Sequence, residues 1–182
     1  MSNFSFKLCF AHAYVCLNNN IMKPNYLLIL LLLGNPTFSQ DVALRKTIDS
    51  TVHRIQACPN HVSTFTKVET INGNEIPIKY QLKTCKGFGT YIERIFSNKD
   101  SVVYQQFYEW DYELIYSIER IVNYYARDSI TWRAIYYFSD GKLRDHETLG
   151  HGKSEMDSWD PEQEVIANYR RARNDIRGFL QK

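Results

Sequence analysis

The stretch His146-Glu147-Thr148-Leu149-Gly150-His151 brings two imidazoles and a carboxylate within six residues. A helical zinc site needs histidines four apart with a glutamate after the first, because that spacing puts both rings on one face. Here the interval is five, which turns the second ring about 140° away from the first. Gly150 and Gly152 also disfavour a helix, so the stretch reads as a polar loop and no metal is assigned. Cys58 and His61 pair a nucleophile with a base. Pro59 intervenes, however, and Cys85 competes for the same sulfur. Asp140/Asp145 and Glu109/Asp111 are carboxylate pairs of the kind that glycosidic hydrolysis uses, but they stand in turn-forming surroundings where acids are ordinary. The chain has no G-x-S-x-G, no phosphate-cradling glycine loop and no dinucleotide fingerprint. Neither a catalytic residue nor a cofactor is assigned from spacing.

What the sequence does concentrate is aromatic surface. From Tyr91 to Phe138 there are fourteen Tyr, Trp and Phe residues. A sheet face carrying Tyr104, Tyr108, Trp110, Tyr116, Tyr124, Trp132 and Tyr136 would offer flat apolar area to a ligand. The other reading is that these rings are cross-strand pairs filling a core.

The elements that would carry them follow from periodicity. Leu44, Ile48, Val52 and Ile55 draw one apolar stripe over a helix from Asp41 to Ala57, which Cys58-Pro59-Asn60 ends. From Ser63 the period is two. Ile76, Ile78, Tyr80 and Leu82 alternate with polar neighbours, preceded by an Asn72-Gly73 hairpin turn. Pro77 cannot donate to a ladder, so this strand is expected at an edge or with Pro77 turned outward. Strands then follow over Thr90–Phe96, Ser101–Tyr108, Glu113–Tyr124, Ile130–Phe138 and Lys142–Thr148, with polar turns between them, Asp140-Gly141 above all. Glu113–Tyr125 also fits a helical stripe; its strand neighbours decide for strand. Asp160 before Pro161, with Gln163 three residues on, starts a final helix. Its apolar side is Val165, Ile166, Tyr169, Ala172, Ile176, Phe179 and Leu180. The fold class is α+β: an antiparallel meander of six to seven strands flanked by an N-terminal and a C-terminal helix, both expected on one face of the sheet.

Upstream, Met22-Lys23 precedes the apolar run Leu27–Leu33 and the breaking stretch Gly34–Gln40, the layout of a secretory signal peptide. Seven apolar residues span about 10 Å as a helix, far short of the roughly 30 Å a membrane requires. Residues 1–39 are read as a leader: 22–39 as the signal peptide, with cleavage after Ser39, and 1–21 as an upstream extension wrongly joined to the true start at Met22. The alternative is one long irregular leader. Residues 40–182 form a single domain. The 182-residue chain has 22 basic and 20 acidic groups. Losing Lys7 and Lys23 leaves 20 of each, so charge gives no reason to expect nucleic acid as a partner. Cys58 and Cys85 remain, and an oxidising compartment invites a disulfide between them; two unlinked thiols are the alternative.

Tyr136-Tyr137-Phe138-Ser139-Asp140-Gly141-Lys142-Leu143 resembles a hairpin unit of exported Bacteroidota proteins and the MORN-type antiparallel repeat. Phe107–Leu114 is similar to a degenerate copy, with Tyr112 where the repeat has glycine, and the Ser39-Gln40 junction resembles those of exported Bacteroidota proteins. The resemblance covers residues 90–148 and implies a meander and an exported location, with no catalytic residues to transfer. The expected function is a non-catalytic binding domain of the periplasm or cell exterior, its partner a protein or glycan, with no membrane span after cleavage. The alternatives are a small secreted hydrolase with an unrecognised site, or an inhibitor or immunity-type protein. Protein recovered from the envelope fraction should begin at Gln40 by N-terminal mass spectrometry; an intact Met1 terminus in the cytosol would remove the export argument.

Overall fold

Period-two alternation becomes seven strands in the computed structural model, which describes residues 36–71, 73–123 and 130–181. Helix α1 (Pro36–Ala57) leads into β1 (Ser63–Ile71), β2 (Asn74–Cys85), β3 (Gly89–Asn98), β4 (Ser101–Trp110), β5 (Glu113–Asn123), β6 (Ile130–Ser139) and β7 (Lys142–Gly150). A single 3₁₀ turn (Lys153–Glu155) and helix α2 (Pro161–Leu180) complete it. Each strand pairs antiparallel with the next, giving one sheet in sequence order. The α+β meander and its two flanking helices are as expected.

Three details correct or narrow the expectation. First, α1 begins at Pro36, not Asp41, because proline is well suited to a first helical turn. The expected junction after Ser39 therefore falls in that turn. Second, of the two placements expected for Pro77 the edge is excluded, because β2 is internal, and the outward one holds, since Pro77 is exposed. Pro77 pairs with Val68 of β1 but lies beyond the last β2–β3 pair, Ile78 with Phe96, so its missing N–H interrupts no β3 rung. Third, the helices cover opposite faces. Phe107 clusters with Val165, Tyr169, Ala172 and Ile176 of α2, whereas its neighbour Tyr108 clusters with Ile48, Val52 and Ile55 of α1. Adjacent strand residues point to opposite sides, so one helix lies on each side. The sheet is apolar on both faces, and a single cover would leave the other face wet.

The face under α1 carries a ladder of four tyrosines. Tyr91, Tyr108, Tyr116 and Tyr137 stand directly opposite one another on successive strands. Their centroids are 5.1, 5.5 and 5.2 Å apart with rings tilted or edge-on, the arrangement the ring quadrupole favours. Burial pushes all four hydroxyls up, Tyr137 to about 12. Gln56 of α1 donates to the Tyr108 hydroxyl at 2.9 Å and Gln106 to that of Tyr91 at 3.2 Å.

The face under α2 carries a row of polar side chains between apolar ones. Tyr80, Arg94, Gln105 and Glu119 are opposed across β2 to β5. Arg94 donates to Gln105 at 3.0 Å and reaches the Tyr80 hydroxyl at 3.4 Å; Gln105 donates to Glu119 at 3.4 Å. At one end Tyr80 donates to Asp175 of α2 at 2.6 Å, and Lys67 joins the same carboxylate. Burial works against the Asp175 charge, yet these two donors hold its pKa below the ordinary carboxylate value. At the other end Lys153 donates to Glu119 at 2.8 Å and to Glu164 of α2. α2 starts as its sequence requires, the Asp160 carboxylate accepting from the Gln163 N–H at 3.0 Å. Of its expected apolar side, Leu180 stays exposed.

α1 is held near its middle and just past its C-terminal end. Arg45 pairs with Asp145 and Glu147 of β7, and a disulfide joins Cys58 to Cys85 at the end of β2. No described helix is long and apolar enough to cross a membrane. Replacing both cysteines by alanine should lower unfolding stability by about 3.5 kcal/mol, the chain-entropy value for a loop of this size. Urea melts of parent and variant measure it; coincident curves would count against the bond in the native protein.

Candidate functional site

Glu109 is where the chain departs furthest from what a strand end requires. β4 alternates Val103, Gln105, Phe107 and Glu109 on one face, so the pleat carries this glutamate inward beside the apolar row. Its side chain is 4% exposed. The Arg173 Nε of α2 stands 3.3 Å from Oε1, but that oxygen accepts no aligned hydrogen bond. Burial raises the Glu109 pKa, and the Tyr169 hydroxyl and Arg173 pull it the other way without cancelling the rise.

Two adjoining cavities share Glu109 as a wall. One, of about 480 Å³, is lined by Thr84, Cys85, Lys86, Gly87, Gly89, Thr90, Glu109, Trp110, Asp111 and Tyr112. The second, of about 300 Å³, adds Leu82, Ile92, Arg173, Ile176, Arg177, Leu180 and Gln181 of the α2 side. Trp110 and Tyr112, 38% and 79% exposed, belong to the lining of the first, and Phe88, 44% exposed, stands beside it between Gly87 and Gly89. Arg54 of α1 lies over both the Phe88 ring at 5.0 Å and the Trp110 ring at 5.5 Å, tying the helix to the two turns that frame the opening.

Local backbone demands shape this end of the sheet. Gly89 has φ of +108°, and a Cβ there would lie 2.0 Å from the Glu109 carbonyl oxygen, so β3 approaches β4 more closely than any side chain permits. Asp111 and Tyr112 join β4 to β5 with φ of 50° and 65°. Both are left-handed without a glycine, an arrangement that costs about 1 kcal/mol or more per residue and presents Tyr112 to solvent. Just before the turn, the β4–β5 register shifts between Tyr108 and Glu109, with Ile115 as the extra residue. The Cys58–Cys85 bond and the Asn60 amide bonded to the Thr84 carbonyl brace the cavity wall from α1.

The aromatic set does not form one face. Tyr108 and Tyr116 are buried under α1; Trp132 and Tyr136 are buried under α2. Tyr104 is half-buried on the α1 side with Arg120 over its ring. Trp110 alone reaches the cavity, and Tyr124 lies outside the described residues. His146 stacks on Tyr136, and His151, past the end of β7, meets Glu155 at 2.5 Å. The carboxylate pair Glu109/Asp111 does not act as two turn acids: Asp111 is exposed, and Glu109 is core. Parity with Phe107 was the signal for Glu109. For Tyr112 the signal was its place opposite the repeat's glycine: Asp111-Tyr112 takes the same left-handed pair of φ values as Asp140-Gly141.

A carboxyl whose pKa is raised by folding keeps its proton in the fold after the unfolded chain has lost its own. Stability from that group is therefore full below the ordinary glutamate range and falls as pH rises from there through the raised value. Glu109→Gln should match the parent near pH 4 and become the more stable protein as pH approaches 8, by thermal melts across that range; parallel profiles would mean the buried carboxyl is not perturbed. Comparison with protein-family models, curated proteins and solved structures finds no match to this chain.

Proposed function

We propose that this chain is an exported, non-catalytic binding domain whose ligand enters the Glu109 cavity. The observation that carries the proposal is an open cavity at one end of the sheet, with the exposed rings of Trp110 and Tyr112 in its lining and the core carboxylate Glu109 in its wall. Trp110 and Tyr112 would take a flat apolar face, and Lys86, Arg54 and Arg173 would reach polar substituents around it. That combination fits the end of a glycan: apolar ring faces, edges lined with hydroxyl donors, and a size suited to a few hundred Å³.

Catalysis is the weaker reading. A raised glutamate suits a general acid, but Asp111, the acid nearest in sequence, belongs to the exposed turn and lines only the outer wall. Export is supported by the Cys58–Cys85 bond, which belongs to oxidising compartments, and by the apolar run Leu27–Leu33 with the Ser39-Gln40 junction. The likeness of the β6–β7 hairpin to exported Bacteroidota proteins points the same way.

The test is a titration of the purified chain with a panel of soluble oligosaccharides, read by tryptophan fluorescence. Of the three tryptophans, Trp132 is fully buried and the half-buried Trp159 stands away from the cavity, so a ligand-dependent change should come chiefly from Trp110. A saturable change is expected, with affinity weakened about tenfold or more by Trp110→Ala, the loss of one stacked ring. No saccharide response, or one unchanged in Trp110→Ala, would overturn the reading.

A further inference from the structure

On the face under α1, Arg120 of β5 stands directly opposite Arg133 of β6. Opposed residues hold their Cβ atoms about 4.5–5.5 Å apart, and like charges so placed repel. The Nε of each guanidinium is buried and has no hydrogen-bond partner. Among the described residues neither arginine makes an ion pair. The acids of this face are committed elsewhere or set apart. Glu147 pairs with Arg45, Glu93 accepts from Gln106 at 2.8 Å, and Asp49 of α1 acts on Tyr116 and Tyr137. Among the described residues, then, the two opposed cations have no counter-charge, and since each Nε is closed off, an anion would meet the terminal N–H groups of the two guanidiniums.

We propose that Arg120 and Arg133 form a binding site for a phosphate-type oxyanion. The guanidinium fork matches the oxygens of such a group in pairs, and a tetrahedral anion has enough acceptors to serve two forks where a carboxylate serves one. The Tyr104 ring lies 5.1 Å beneath the Arg120 guanidinium, covering its face and leaving its N–H edge as the contact surface. Ile118 and Ile135, opposed on the next rung and half-buried, give the site an apolar flank. Two sources share this chemistry: free phosphate, and the headgroup of a phospholipid whose chains meet that flank. This site is separate from the Glu109 cavity, which lies at the far end of β4 and shares no residue with it.

The experiment is a thermal melt of the full chain in phosphate-free buffer. It is titrated in parallel with inorganic phosphate and with dihexanoyl phosphatidic acid, against chloride at matched ionic strength. A tenfold excess over Kd should raise Tm by about 4 °C. An equal rise with both probes assigns the free anion; a larger rise with the lipid assigns the headgroup. Arg133→Met keeps the apolar stem and removes the repulsion, so it should lose the rise and be at least as stable as the parent without phosphate. Arg133→Lys should keep part of the rise, having the charge without the fork. The proposal is overturned if neither probe exceeds the chloride control, or if Arg133→Met keeps the full rise. A clear loss of phosphate-free stability in Arg133→Met would also overturn it, since the pair would then be structural.

Discussion

The fold depends on one constraint: a line of buried polar side chains across four strands must find all its partners at once. Arg94, Gln105 and Glu119 cannot be exposed without breaking the core around them, and none can be left unpaired without a cost of about 1–3 kcal/mol or more. The line is closed at one end by Asp175 with Lys67 and at the other by Lys153 with Glu164. Each closure includes a carboxylate of α2, Asp175 at one end and Glu164 at the other. Strand register and helix position are thus set by the same hydrogen bonds. A slip of one residue in β3 or β4 would send Arg94 or Gln105 to the other face, among the tyrosines under α1.

That dual role explains why a sheet with two apolar faces settles on one alignment. Tyrosine and isoleucine pairs tolerate several arrangements, because apolar contact is non-directional. The polar line does not. The same logic extends to Glu109, the carboxylate on this face whose closure is incomplete. Arg173 comes within ion-pair distance but does not align, and the residue stands in a cavity wall.

Much of the fold was legible because alternation and turn chemistry act locally. Asp140-Gly141 takes φ of 55° and 70°, as its residue types require, and the Asp160-Pro161 start of α2 is as written. The helix-like spacing of Leu114, Ile115, Ile118, Ile121 and Val122 has a physical origin: Ile115 is a bulge residue, and one extra apolar position in a strand imitates a helical stripe. The placing of helices on both faces was not legible. Period two shows that a strand has two sides, not which side a distant helix will choose. Reading aromatics as one binding set failed for the same reason, since Tyr136 and Tyr137 are neighbours in sequence and belong to different cores. Arg94 and Glu119 were passed over because charged residues in strands are ordinarily taken as facing water. Their parity with Ile92 and Ile121 says otherwise.

The way α1 is fastened has a consequence for the order in which the molecule assembles. Its C-terminal end is bonded to Cys85, 27 residues on from Cys58, whereas the partner of Arg45, midway along the helix, is Asp145, 100 residues on. A chain emerging from its N-terminus can make the nearer link long before the farther one exists. The helix is then a hinged flap, tied at one end over a growing ribbon of strands, and it can seat fully only when the last strand arrives. Until that moment the tyrosine side of the ribbon has its cover attached but not closed, so completion of the sheet and burial of that side become one late event.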